Sequence, residues 1–219
     1  MVYNLPPLEE SHRYGGWLNA FVQTWLGACF RPLDFFYSVG RGVSLSEPLL
    51  FGMIMGWVGA FLSSLISLIF NIPMFWFLRA IGGEQVSTAH AMMSQVAWVV
   101  VYAFFGWLFA LLGISLSGLI LHLLLYLLGG ASKSLATTCR VIGYAWAPQI
   151  FNIVPFVGQL VSFIYIVILE IIGLAHAHET EYWRSAIAVL LPILLGCCCA
   201  VVLIGYLAVL FAGLATAPH

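Results

Sequence analysis

Charge is what this chain has least of. Only 7% of its 219 residues are Asp, Glu, Lys or Arg, against roughly a quarter in soluble domains, so water cannot be its main solvent. A net charge of -1 and the absence of any basic run exclude the electrostatic footprint of a nucleic-acid binder, and no polybasic segment addresses anionic headgroups. Cysteines at zinc or disulfide spacing are missing too. The five are Cys29, Cys139 and the triplet Cys197, Cys198 and Cys199; neighbours on a helix point about 100° apart and cannot meet at one metal. They are expected to be small apolar filler. The amino terminus has no basic start followed by a short apolar core, so no cleaved secretory signal is expected. Also absent are a Ser-His-Asp spacing, HExxH, a phosphate-binding glycine loop and an intramembrane Asp dyad, so neither enzymatic activity nor a cofactor is expected.

What is present is apolar: 63% of the residues, in uncharged runs near the roughly 20 residues that cross hydrocarbon. Trp17, Leu18, Phe21, Val22, Trp25, Leu26 and Phe30 repeat at helical spacing, with Asn19, Gln23 and Thr24 off that stripe. This predicts an interfacial helix over 17–30 that ends at Pro32, anchored by aromatic burial because its polar face lacks Lys and Arg. Residues 49–70, after Pro48, carry no charge and form the first span. Gly52, Gly56 and Ala60 lie four apart on one face of it, which suits close packing within the fold or self-association. Residues 71–93, with Pro73, Arg79, Gly82, Gly83, Glu84, His90 and the aromatic cluster Phe75, Trp76 and Phe77, read as a connector partly in the interface.

Residues 96–128 contain no charge and would make a helix of about 50 Å, long for one crossing and short for two. If the segment crosses once, Arg13, Arg31, Arg41, Lys133, Arg140 and Arg184 share one side, leaving Arg79 alone opposite. A turn at 113–118 would split them, against the positive-inside rule. One long helix, tilted or bent near Gly113, with a cytoplasmic amino terminus is therefore expected. Gly129 and Gly130 end it, and Ser132 or Ser134 can cap a short helix over 135–147 that Pro148 stops. Non-helical backbone at 149–155 must then be buried or reach the far surface. Residues 156–175 return as a span carrying Glu170, 176–184 form a polar turn, and 185–214 form the last span, with Pro192 near its start.

The run from Cys139 to Pro192 resembles the core of the Yip1 domain family, especially its bacterial branch. The matching elements are Gly129-Gly130, the aromatic-to-proline segment from Tyr144 to Pro148, the Pro155-to-Gly158 approach to a span, Gly173 to His178, and Arg184. Arg31-Pro32 with Phe35-Phe36 is similar to the family's segment before its first span. The resemblance covers about 31–192 and implies five membrane segments. Golgi traffic and small-GTPase binding belong to eukaryotic members; their Asp-Leu-Tyr-Gly-Pro element is replaced here by Arg-Pro-Leu-Asp-Phe-Phe, so that role is not carried over. Bacterial members are mostly of unknown function.

Ionisable groups inside a bilayer are the default functional candidates. With Gly129, Lys133 and His176 at the cytoplasmic surface, His122, Arg140 and Glu170 each lie about 9 to 11 Å deep. They form one polar layer in which Arg140 is expected to pair with Glu170, either as a structural lock or as part of an ion path. Tyr144, Trp146, Pro148, Asn152 and Pro155 mark the broken helix, where a small cavity can form. His176, His178 and Glu179 are weak metal candidates, because His176 and His178 diverge by about 200° on a helix.

The expected fold is therefore an all-α bundle of about five membrane segments, the third short and broken, after an amino-terminal interfacial helix. Residues 1–48 form a cytoplasmic segment and 49–219 a Yip1-like transmembrane domain in a bacterial cytoplasmic membrane. The expected partners are the lipid bilayer and either a second copy or another membrane protein. The expected role is a non-enzymatic scaffold or accessory subunit. The competing class is a small transporter, ion or proton pathway, or lipid-moving protein using His122, Arg140 and Glu170. A polar cavity open to one side would favour the second class.

Overall fold

The computed structural model describes residues 5–82 and 88–215, with the side chains of 74–76, 78–82, 88–91 and 208–215 left aside. A 3₁₀ helix, Pro7–Tyr14, precedes α1 (Trp17–Phe30), α2 (Pro32–Val39), α3 (Ser46–Gly82), α4 (Thr88–Leu127) and α5 (Leu135–Ala145). A second 3₁₀ helix, Ala147–Ile153, leads to α6 (Gly158–Ala177) and α7 (Tyr182–Ala215). Four of these are long and apolar enough to cross a membrane, over Ser46–Pro73, Met92–Leu127, Gly158–Ala177 and Tyr182–Leu207. With the short α5 between the second and third of them, this is the all-α polytopic bundle the sequence predicts.

The uncharged stretch before Gly129 is one unbroken helix, as expected: α4 runs 40 residues, about 60 Å. It ends where Gly129 turns left-handed (φ 68°) and Gly130 N–H reaches back to the Leu125 carbonyl at 2.8 Å, a closure that glycine permits without strain. Glu179 takes the same left-handed place (φ 53°) after α6, with Thr180 N–H on the Ala175 carbonyl at 2.9 Å.

Small residues set the packing. A Cβ on Gly143 of α5 would stand 2.4 Å from the Pro48 carbonyl oxygen at the start of α3, and one on Gly52 of α3 would stand 2.6 Å from the Gly143 carbonyl oxygen. Further along α3, Gly56 lies on Trp146 and Gly59 on Gln149. The small-residue face of the first span is thus filled from within the chain. On its other side α4 runs antiparallel, with Trp57 donating to the Tyr102 carbonyl at 2.9 Å and Gly118 seated on Cys139. α6 then climbs back beside α5. Its Ser162 hydroxyl donates to the Pro148 carbonyl at 2.8 Å, and Gly173 admits Val141 and Phe36. α7 packs on α6 and α4 only as far as Ile193; every residue from Leu194 to Leu207 is exposed, Cys197, Cys198 and Cys199 among them.

Beyond the connector at 71–93, which is largely helical because α3 passes through Pro73 to Gly82 and α4 starts at Thr88, two expectations are corrected. The side chains of Phe75, Trp76, Arg79 and His90, with Gly83 and Glu84, lie outside the described residues. The backbone at 149–155 is a 3₁₀ helix to Ile153, which keeps most of its polar groups paired after Pro148 removes a donor. Finally, α1 does not turn Thr24 to water. Ala20, Thr24, Gly27 and Ala28 form its buried face, Thr24 accepts from Leu8 N–H at 3.0 Å, and Leu18, Val22 and Phe30 face outward. Its smallest residues fall on one side, and that side fits the bundle. Trp25 donates its indole N–H to the Ala147 carbonyl at 3.0 Å, pinning α1 to the break after α5.

Candidate functional site

Among the described residues no hydrogen bond or ion pair joins the expected trio of His122, Arg140 and Glu170 to one another. Arg140 does not pair with Glu170. It pairs with Glu9, Nη2 lying 2.9 Å from Oε1 and 3.2 Å from Oε2, and Tyr144 O–H donates to the same Oε1 at 3.2 Å. The two charged side chains are 3% and 5% exposed. The amino-terminal 3₁₀ helix brings Glu9 over α5, and Gly42 closes the nook, since a Cβ there would overlap the guanidinium at 1.3 Å. Burial is the largest influence on the Glu9 carboxyl and pushes it above its ordinary value; the Arg140 charge and the hydrogen bonds from Arg140 and Tyr144 offset this only in part. Glu170, 9% exposed, instead faces a cavity of about 230 Å³ between α4, α6 and α7.

His122 joins a chain that includes His178. The Lys133 backbone N–H donates to His178 Nδ1 at 3.2 Å, so Nε2 carries the ring proton of a neutral His178 and donates to Thr138 Oγ1 at 2.9 Å. Thr138 Oγ1 also lies 2.8 Å from His122 Nδ1. Burial first, then the neighbouring His122 and Lys133, pushes His178 down to about 4, which holds it neutral. The three metal candidates do not converge. His178 points to Thr138, His176 Nδ1 stays on the Ile172 carbonyl at 2.9 Å, and Glu179 reaches out to Lys133 Nζ at 3.1 Å. Among the described residues no group of three or more His, Cys, Asp or Glu could hold a metal.

A larger polar feature lies at the other end of the bundle, beneath the broken helix. Gln159, at the start of α6, is about 28 Å along that helix from His178. There α3, α4, the second 3₁₀ helix and α6 enclose about 540 Å³, open at the surface. α3 supplies Ser63, Ser64, Ser67 and Asn71; α4 supplies Gln95, Trp98 and Tyr102; the 3₁₀ helix supplies Gln149 and Asn152; α6 supplies Gln159 and Ser162. None of the lining residues is charged. Asn152 Nδ2 donates to Gln149 Oε1 at 2.7 Å, Gln159 Nε2 donates to Ser63 Oγ, and Asn152 Oδ1 is buried with no partner. Of the broken-helix residues expected here, Asn152 lines this space and Pro155 an adjoining one of about 140 Å³. Tyr144 is fully buried against Phe35 and Phe51, Trp146 packs on Gly56 and Gly113, and Pro148 contributes its carbonyl to Ser162.

A family model, that of the Yip1 domain, matches residues 26–215. The chain belongs to the Yip1 domain family. No curated protein and no solved structure matches it. The family match and the four apolar helices make this an integral, multi-pass membrane protein. The matched region takes in every element that lines the cavity, so the cavity is built wholly from the Yip1 domain. Glu9, which holds Arg140, lies before it.

Sequence reasoning missed most of the cavity. A signal was present: Ser63, Ser67 and Asn71 are spaced four apart and line one helix face. That polar face is easily passed over in an otherwise apolar run, and Gln95 and Gln159 are likewise surrounded by apolar sequence.

Proposed function

We propose that this Yip1-family protein is a non-enzymatic, lipid-binding membrane protein whose polar cavity holds the uncharged, hydroxyl-rich headgroup of a membrane lipid. The cavity carries this reading. Its amides and hydroxyls can replace the hydrogen bonds that a sugar or glycerol headgroup makes in water. A phosphate would enter without a counter-charge, at a high desolvation cost. α4 packs chiefly on α3, α5 and α7, so acyl chains can stay in the bilayer while the headgroup sits between α4 and α6. Trp98 and Phe163, half exposed at this gap, would flank it.

The scaffold role, in which a second copy or another membrane protein packs on the chain, has less support, because Gly52 and Gly56 are already covered by Gly143 and Trp146. An ion path through His122, Arg140 and Glu170 has less support, because Arg140 is held by Glu9 and His122 by Thr138. The test is native mass spectrometry of the purified protein in nanodiscs holding glucosyl diacylglycerol or phosphatidylglycerol. Glucosyl diacylglycerol should be retained in preference, and Asn152→Leu and Gln159→Leu should each weaken its binding about tenfold, the cost of one or two lost hydrogen bonds. Equal retention of both lipids, or retention untouched by both substitutions in variants that melt like the parent, would overturn the proposal.

A further inference from the structure

Among the described residues, Glu170 is a carboxyl group in the membrane with nothing to pair with. It projects from α6 into the cavity of about 230 Å³ whose other walls are Ser117, Ile120 and Leu121 of α4 and Val189, Pro192 and Ile193 of α7. No ion pair or hydrogen bond reaches it among the described residues, and every other charged or titratable group on the elements packed around it is engaged or remote. On α4, His122 is bound to Thr138. On α5, Arg140 is held by Glu9 and Cys139 sits under Gly118. At the start of α7, Arg184 turns to the Gly129 carbonyl and Glu181. On α2, Asp34 is exposed; on α6 itself, Tyr165 donates to the Cys29 carbonyl and His176 to that of Ile172.

The pocket has polar company for one small guest. Ser117 offers a hydroxyl. The volume admits several waters. An ionised carboxylate here would face mostly aliphatic walls without a counter-charge. A protonated one is neutral and can donate to water or to Ser117. A metal cation of the sodium kind is poorly served by one carboxyl and one hydroxyl.

We propose that the pocket between α4, α6 and α7 is a proton-binding site, with Glu170 as the group that takes up and releases the proton through water held against Ser117. This does not rest on the lipid reading, since the two cavities share no residue.

A membrane-soluble carbodiimide tests it on the full chain in vesicles. The acid O–H adds across one C=N bond, its oxygen going to the central carbon and its proton to nitrogen. The acyl group then migrates to nitrogen, leaving a stable acylurea, with nothing oxidised and nothing lost. Only the protonated carboxyl reacts. Peptide mapping of the parent protein should find the adduct at Glu170 alone, formed about tenfold more slowly for each pH unit above its titration midpoint, and absent in Glu170→Gln. Any of four results would overturn the proposal: no adduct at Glu170; a rate independent of pH; slowing by sodium at fixed pH and ionic strength; or an amide cross-link from Glu170 to a partner's lysine, formed with release of urea. The first two remove the proton, the third replaces it with a metal ion, and the fourth makes the carboxyl a counter-ion for another helix.

Discussion

Removing either side chain of the Glu9–Arg140 pair should destabilise the protein far more than removing both. Glu9→Ala strands Arg140, a residue 2% exposed in the parent, with its Nε already lacking a partner. Arg140→Ala leaves the Glu9 carboxylate with only the Tyr144 hydroxyl. Stranding one member of a buried pair costs about 3 to 5 kcal/mol, whereas deleting both removes the desolvation and the attraction together. Each single substitution should therefore cost about 4 kcal/mol, and the double less than their sum by at least about 2 kcal/mol. Reversible unfolding of the purified protein in mixed micelles measures the cycle. A parallel cycle with Glu170→Ala in place of Glu9→Ala serves as control, because Glu170 and Arg140 are predicted to behave additively. Additive Glu9 and Arg140 effects, or coupling of Arg140 to Glu170 instead, would refute the assignment of Arg140's partner.

Two further outcomes follow from local geometry. His178 is held well below its ordinary value, at about 4, so the unfolded chain binds the extra proton between pH 4 and about 6.5. The stability His178 contributes, roughly 3 kcal/mol, should be complete above pH 6.5 and fade as pH falls toward 4. His178→Asn should flatten that slope in a pH series of melting temperatures, and an unchanged slope would remove His178 as its source. Gly143→Ala must displace the Pro48 carbonyl from 2.4 Å and should cost about 1 to 3 kcal/mol or more. Gly205→Ala, with nothing within 4 Å, should melt like the parent and so reports on the helical substitution itself.

The long helices were legible because hydrocarbon imposes length and apolarity together, and because the distribution of seven basic residues decided between one crossing and two before Gly129. Pairing was not legible. Helical rise ranked His122, Arg140 and Glu170 by depth but not by direction around each helix, and direction separated them. Arg140 looks toward α2 and the amino-terminal 3₁₀ helix, Glu170 toward α4 and α7. Glu9 was invisible as a partner because an eight-residue 3₁₀ helix with charges on both ends reads as a solvated tail. His178 was weighed only with His176 and Glu179, its chain neighbours, whereas it bonds to Thr138 and Lys133. Helix periodicity captures neighbours three or four residues away, and the contacts that organise this interior span many times that distance.

The clasp between Glu9 and Arg140 joins residues 131 positions apart, and that separation has a cost in time. During synthesis at about 5 to 20 residues per second, roughly 7 to 26 s pass before the arginine emerges after the glutamate. Through that interval Glu9 has no cation to meet, so the 3₁₀ helix that carries it can take its final place only after α5 has emerged.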